Sequence, residues 1–315
     1  MQHKRDLSPK RVKTSKWQKK LQKHGWARVR NVLSPEEVIR YENEFWDWLK
    51  SYNGNIDRHD PKTWTTSNWP MGTHGLVQHF KFGHSKLAWQ IRETPKILEA
   101  FAKIWHCSVD DLVVSFDGGK ASRPTTRKSE GWEHMDQGYF TKDVNSSGFK
   151  CVQGYIALTN CNGGTQVYTD SHLLHEKFGK KFKITTNKHW YKLNDEEKKW
   201  YIDHGCKSET VILKAGDMGL WDSRTIHYAR EPDDHPRLGV FVSYSPRSQL
   251  TKPAKKIEIF QNRRMTSHWA ARPTMFPPYP RDYGDLQIRA RFKDVEPIKD
   301  NELTYRMRRL IGFYK

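Results

Sequence analysis

The sequence predicts a mainly β fold, a sandwich or jelly roll, carrying an N-terminal layer of helices. Three observations predict it. Helix signals crowd into the first third of the chain, between residues 34 and 105. From residue 112 to 246 the pattern changes to short apolar runs cut by glycine and proline turns, the punctuation of strands. Finally, the 315 residues are 36% hydrophobic and 13% aromatic, with 13 Trp, which is enough apolar surface for a substantial core.

Residues 1–24 read as a basic, flexible arm. Lys4, Arg5, Lys10, Arg11 and further lysines face the single acid Asp6, and a block of like charge favours solvation. Residues 25–250 read as the β core with its helical layer. Trp26, Val29 and Val32 supply the apolar members of a first strand. Ser34-Pro35-Glu36-Glu37 is a helix start: a capping serine, proline in the first turn and acids favoured by the dipole. Val38, Tyr41, Phe45 and Leu49 then recur at helical spacing. A second helix is expected over 95–105, with Ile97, Leu98, Phe101 and Ile104 inward.

Strands are expected over 112–116, 149–160 and 165–168, then in "ETVILKAGDMGLWDSRTIHYA" and "RLGVFVSYSP". Between them, 193–205 reads as a helix capped by Asn194 and ended by Gly205. Residues 251–315 form a basic extension. Pro273, Pro277, Pro278 and Pro280 argue against regular structure there, while Trp269, Phe276 and Tyr279 are too apolar for a free tail. A strap packed over the core is the expectation.

Composition also excludes classes. No stretch approaches 18 uninterrupted apolar residues, so no membrane span is expected. The N-terminus lacks the apolar run of a secretory signal, so a location in the cytosol or nucleus is expected. Cys107, Cys151, Cys161 and Cys206 show no C-x-x-C spacing, so neither structural zinc nor a disulfide framework is expected. The net charge of +19 attracts polyanions: nucleic acid, anionic lipid or a phosphorylated substrate.

One short stretch carries chemistry. In "GWEHMDQGYF" (131–140), His134 and Asp136 stand two positions apart, which puts both side chains on one face of a strand. Two imidazoles and a carboxylate on one face of an octahedron suit mononuclear Fe(II) and leave three positions open. The second imidazole must come from a distant strand. His227 closes a strand-like run, whereas His235 sits in the turn "EPDDHPR", so His227 is favoured. A dicarboxylic keto acid needs a cation for its far carboxylate, and a bidentate arginine serves best. Arg237 opens the run after His227, on a strand expected to lie beside the ligand strand; Arg230 is too close and Arg247 too far along.

With these pieces in order, the chain resembles the phytanoyl-CoA dioxygenase-like family of iron- and 2-oxoglutarate-dependent oxygenases. The resemblance runs from "HGWARVRNVLSPEEV" through "GWEHMDQ", "VQGYIALTNCNGGTQVYTDSHLLH" and "AGDMGLWDSRTIHYA" to "RLGVFVSY", over residues 24–250. Thr169-Asp170 stands where relatives carry Pro-Gly in a "PGSH"-like loop end. The resemblance implies a double-stranded β-helix, the cupin-like jelly roll, with His134, Asp136 and His227 as iron ligands and Arg237 as the 2-oxoglutarate clamp. It further implies Gln153 as a cosubstrate contact. Ser243 shares a strand face with Arg237 by even spacing and joins it as a candidate. Halogenating relatives replace the carboxylate ligand with a small residue; Asp136 is present, which favours hydroxylation with O2 and release of succinate and CO2.

Trp132, Tyr139 and Phe140 flank the ligand pair as substrate-wall candidates, with core packing as the plainer role. The substrate class is a small molecule, anionic if the charge speaks for it, or a nucleic acid reached through the basic arm. A rival reading is a catalytically silent jelly-roll protein binding nucleic acid, with "HWAARPTMFPPYPR" stacking bases. Intact His134, Asp136, His227 and Arg237 argue against it. A cupin-type zinc or manganese hydrolase leaves Arg237 without a purpose.

Overall fold

A computed structural model describes residues 14–70, 73–125, 132–139, 149–160, 162–185, 188–232, 234–279 and 292–314. Its strands in chain order begin with β1 (Trp26–Val29), β2 (Leu76–Val77), β3 (Leu112–Val114), β4 (Gly119–Ser122) and β5 (His134–Met135). Then come β6 (Val152–Ala157), β7 (Thr165–Tyr168), β8 (Tyr191–Lys192) and β9 (Ser208–Val211). The last are β10 (Met218–Asp222), β11 (His227–Ala229), β12 (Arg237–Val242) and β13 (Tyr244–Pro246). One antiparallel sheet has the order β1-β10-β6-β12-β4-β2, and a second the order β8-β5-β11-β7-β9. From β4 to β7, and again from β10 to β12, successive strands alternate between the two sheets. That alternation makes the core a double-stranded β-helix, as the sequence predicts.

The helices are α1 (Lys16–His24), α2 (Pro35–Asn53), α3 (Lys86–Arg92), α4 (Pro95–Trp105), α5 (His175–Lys181), α6 (Asp195–Asp203), α7 (Pro253–Gln261) and α8 (Tyr305–Ile311). Ser34 caps α2 in a reciprocal box with Glu37, and Asn194 caps α6 in the same way with Glu197. Tyr41, Phe45 and Leu49 of α2 and Phe101 of α4 are buried with Val240 of β12 and Ile156 of β6 in the main core. A smaller cluster between the sheets holds Trp26, Tyr155, Val167, Val211 and Trp221.

Two expectations need correction. The basic arm is not flexible throughout: residues 16–24 are α1, because Ser15 and Gln18 form a capping box, Gly25 ends the helix at φ 75° and Leu21 is buried. Residues 1–13 lie outside the described residues. The extension is not irregular throughout either. Pro253 starts α7 rather than breaking structure, and the later prolines fall beyond its end. Ile259, Phe260, Met265, Leu310 and Ile311 join the main core, so the extension is packed against it. Trp269 is 5% exposed, which removes it from any base-stacking surface. Among the described residues no helix is long and apolar enough to cross a membrane.

Candidate metal centre

The antiparallel pair β5 and β11 places His134 directly opposite His227, and their rings lie 4.3 Å apart. Asp136 sits just past the end of β5, where its own N–H and that of Gln137 both donate to Ser223 O, at 2.8 and 2.9 Å. This turn, rather than strand periodicity alone, swings the carboxylate to the histidines. Its Oδ1 is 3.5 Å from His134 Nε2 and its Oδ2 3.3 Å from His227 Nε2. The three offer one ligand atom each within 4.8 Å of one another.

The outer ring nitrogens are committed. His134 Nδ1 lies 3.0 Å from Trp132 O and His227 Nδ1 2.9 Å from Thr225 O, each the carbonyl two residues back. A carbonyl only accepts, so both Nδ1 atoms carry the proton and both Nε2 lone pairs point inward. Burial, joined by repulsion from His227, lowers the His134 pKa to about 4, so the imidazole is neutral at physiological pH. Burial alone would raise Asp136, but His134, His268 and His227 outweigh it and hold the carboxyl well below its usual range. Gln153 of β6 donates from the facing sheet to Asp136 Oδ2 at 2.9 Å and to Ser223 Oγ at 3.3 Å. Two imidazole nitrogens and one oriented carboxylate are the donor set that iron takes with open positions to spare.

Arg237 is the first residue of β12 and is 4% exposed. The expectation that β12 runs beside β11 fails: β12 pairs with β4 and β6, in the other sheet. The alternation of strands sends it there. Arg237 reaches across instead, donating to Gly164 O at 2.9 Å and Thr165 Oγ1 at 3.1 Å at the start of β7, with its guanidinium 4.8 Å from the Tyr155 ring centre. Gly239 is glycine because a Cβ there would collide with the Tyr155 ring and Ile156 O. Among the described residues no carboxylate pairs with Arg237.

A pocket between the sheets is lined by Tyr155 and Thr165, which touch Arg237, and by Trp26, Val167 and Trp221. The Trp221 ring lies 5.4 Å from His227, so the wall of the pocket touches a metal ligand on one side and, through Tyr155 and Thr165, the guanidinium on the other. The indole Nε1 atoms of Trp26 and Trp221 are buried without a hydrogen-bond partner. Two indole N–H donors without partners in the pocket wall, and a guanidinium without a carboxylate just behind it, suit an anionic ligand in charge and donor chemistry.

The other sequence candidates fall differently. Ser243 lies past the end of β12; its hydroxyl donates to Val152 O at 2.7 Å, a backbone lock. His235 pairs with Asp234 at 3.3 Å, Arg230 is exposed and reaches Thr210, and Arg247 is bonded to Tyr314 O and Arg309 O. Tyr139 stacks on His175 at 4.3 Å in a separate cluster, and Phe140 lies outside the described residues. Trp132 does flank the centre, 4.2 Å from His134 ring to ring. Sequence reasoning missed His268, whose Nε2 is 3.3 Å from Asp136 O, and Trp221; neither carries a spacing signal relative to the ligands.

The chain has relatives among known proteins. The chain is 30% identical over 252 residues to the Ava biosynthesis cluster protein O of Aspergillus versicolor, covering 76% of this chain and 80% of that protein. The crystal structure of GlcNAc Inducible Gene 2 (DUF1479) from Candida albicans superposes with a TM-score of 0.55 at 12% identity, covering 93% of this chain and 79% of that one. The epimerase SnoN, solved with Fe3+, alpha ketoglutarate and nogalamycin RO, gives 0.48 at 17% identity over 73% and 82%. The sequence profile of phytanoyl-CoA dioxygenase (PhyH) matches residues 21–233, from α1 through both histidine ligands, and the chain belongs to that family.

Proposed function

We propose that the protein is an Fe(II)- and 2-oxoglutarate-dependent oxygenase that hydroxylates a small molecule. The observation that carries the reading is the His134, Asp136, His227 set with a buried Arg237 across the fold, the two linked by the pocket-wall residues Trp221, Tyr155 and Thr165. His134 and His227 would hold the metal through Nε2, and Asp136 through its carboxylate, whose Oδ2 accepts from Gln153. Bound there, iron and 2-oxoglutarate supply the oxidation of a substrate C–H bond by O2, with release of succinate and CO2. Arg237 takes the far carboxylate of the cosubstrate, exchanging its bonds to Gly164 and Thr165 for a stronger charged pair. Trp26 and Trp221 offer their N–H groups along the same pocket, and the surrounding apolar wall excludes water. Kinship with a protein named for a biosynthesis cluster supports a small-molecule substrate.

The test is an anaerobic absorption titration with Fe(II) and then 2-oxoglutarate. Bidentate chelation produces a visible charge-transfer band, which His134→Ala abolishes and Arg237→Ala makes far harder to saturate. A folded, iron-loaded protein that shows no band ends the oxygenase reading.

A further inference from the structure

The metal centre has two flanks. Toward His227 lies the cosubstrate pocket. Toward His134 and Asp136 lies a rim of side chains that neither metal nor cosubstrate uses. The Trp132 ring, against His134, also stacks on His74 at 4.7 Å with planes 26° apart. Trp190 stands 6.1 Å from Trp132 and is 40% exposed. Its neighbour His189 packs instead on Trp269, 5.0 Å away, and next to Trp269 is His268, already at Asp136. Four segments distant in sequence thus bring three imidazoles and three indoles together.

Two details mark the rim. His74 holds φ 54°, ψ 31°, a left-handed conformation that a residue with a side chain keeps only where its surroundings impose it. Its carbonyl is pinned by Lys120 Nζ, and the result is the stack on Trp132. At the other end, Trp269 Nε1 is buried without an acceptor. Burial lowers the His189 pKa to about 4, so its ring is neutral at physiological pH.

We propose that this rim is the substrate site and that it takes a planar aromatic molecule bearing hydroxyl or carbonyl oxygens. The ring system lies along Trp190 and Trp132, and its oxygens meet His189, His268 and Trp269 Nε1. Aromatic walls favour a flat π system through offset and edge contacts. A branched acyl chain of the kind in the family's name wants aliphatic walls, and none of these six residues is aliphatic. The oxygenase reading enters only in calling the ligand a substrate; the site stands on its own geometry.

The probe is 2-naphthol, titrated into apo protein by its own emission, beside naphthalene, which lacks the oxygen, and decahydro-2-naphthol, which lacks the aromatic ring. The same additions are made to protein carrying Fe(II) and 2-oxoglutarate, watching the visible band. Expected are affinity for 2-naphthol at least about tenfold above that for the saturated alcohol, and a loss of about tenfold in Trp190→Ala. That exposed site leaves the core intact. His268→Ala and His189→Ala should shrink the preference for 2-naphthol over naphthalene, and 2-naphthol should shift the band. Equal binding of the saturated alcohol, wild-type binding by Trp190→Ala, or a band that 2-naphthol leaves unmoved overturns the proposal. Should no band form while 2-naphthol binding still depends on Trp190, the oxygenase reading falls and the aromatic site stands.

Discussion

The two flanks of the metal centre are made from different material. On one side, His227, Trp221, Tyr155, Thr165 and Arg237 all sit in laddered strands, so backbone pairing fixes each side chain. On the other, His74, Trp132, His189, Trp190, His268 and Trp269 all lie outside the strands, and contacts between side chains hold them. The first arrangement suits groups that every turnover needs in the same place. The second suits groups that vary with the molecule being handled, because loops change with little cost to the scaffold.

Substitutions separate the two flanks, and the largest effect belongs to the strands. His134→Ala should remove the charge-transfer band and lower iron affinity by more than about a hundredfold in a direct metal titration. Arg237→Ala should weaken 2-oxoglutarate roughly 10- to 100-fold, a net loss equal to about one charged hydrogen bond at ~1.5–3 kcal/mol, while iron affinity holds. Loss of both together would mean that pocket and metal site are one mechanical unit.

Gln153→Leu should cost about tenfold in iron affinity by freeing the Asp136 carboxylate, with the fold unchanged by circular dichroism. Rim substitutions such as Trp190→Ala should leave both affinities alone, and a change in either would erase the distinction between the flanks.

A separate effect, on stability rather than on the site, is expected from acid. Burial lowers the His84 pKa from its ordinary 6.5 to about 3 and that of His175 to about 4. Between those values and 6.5 the unfolded chain binds more protons than the folded one. Stability therefore falls as pH drops through 6.5 and stops falling on this account near 3. Melting temperatures between pH 7 and 4 should show that slope, and His84→Gln should flatten it. The smallest effect is reserved for Ser243→Ala, about 1 kcal/mol from one backbone lock, with no change at the metal.

The ligands and the arginine were legible in the sequence, whereas Trp221 of the strand-borne flank and all of the loop-borne flank but Trp132 were not. His134 and Asp136 announced themselves by spacing, and His227 by closing a β-type run. Arg237 was found by its place after His227, yet the geometric reason differed: alternation between sheets carries it to the opposite wall. His268 gave no such signal. Its position follows from the extension docking at Phe116, whose N–H donates to Thr266 Oγ1 and whose carbonyl accepts from Thr266 N. A pair of hydrogen bonds across a long stretch of sequence has no period to read. Helix α7 was missed for a local reason, since a proline that starts a helix looks like one that breaks it.

The direct opposition of His134 and His227 has a consequence for the life of the protein. Strand β5 has only two residues, a short hold for a segment bearing two of three ligands. A metal joining it to β11 would clasp parts of the chain that the unfolded state leaves far apart. An ion that binds only the folded form stabilises it by mass action. Iron supply would then govern how long each molecule survives, as well as whether it works.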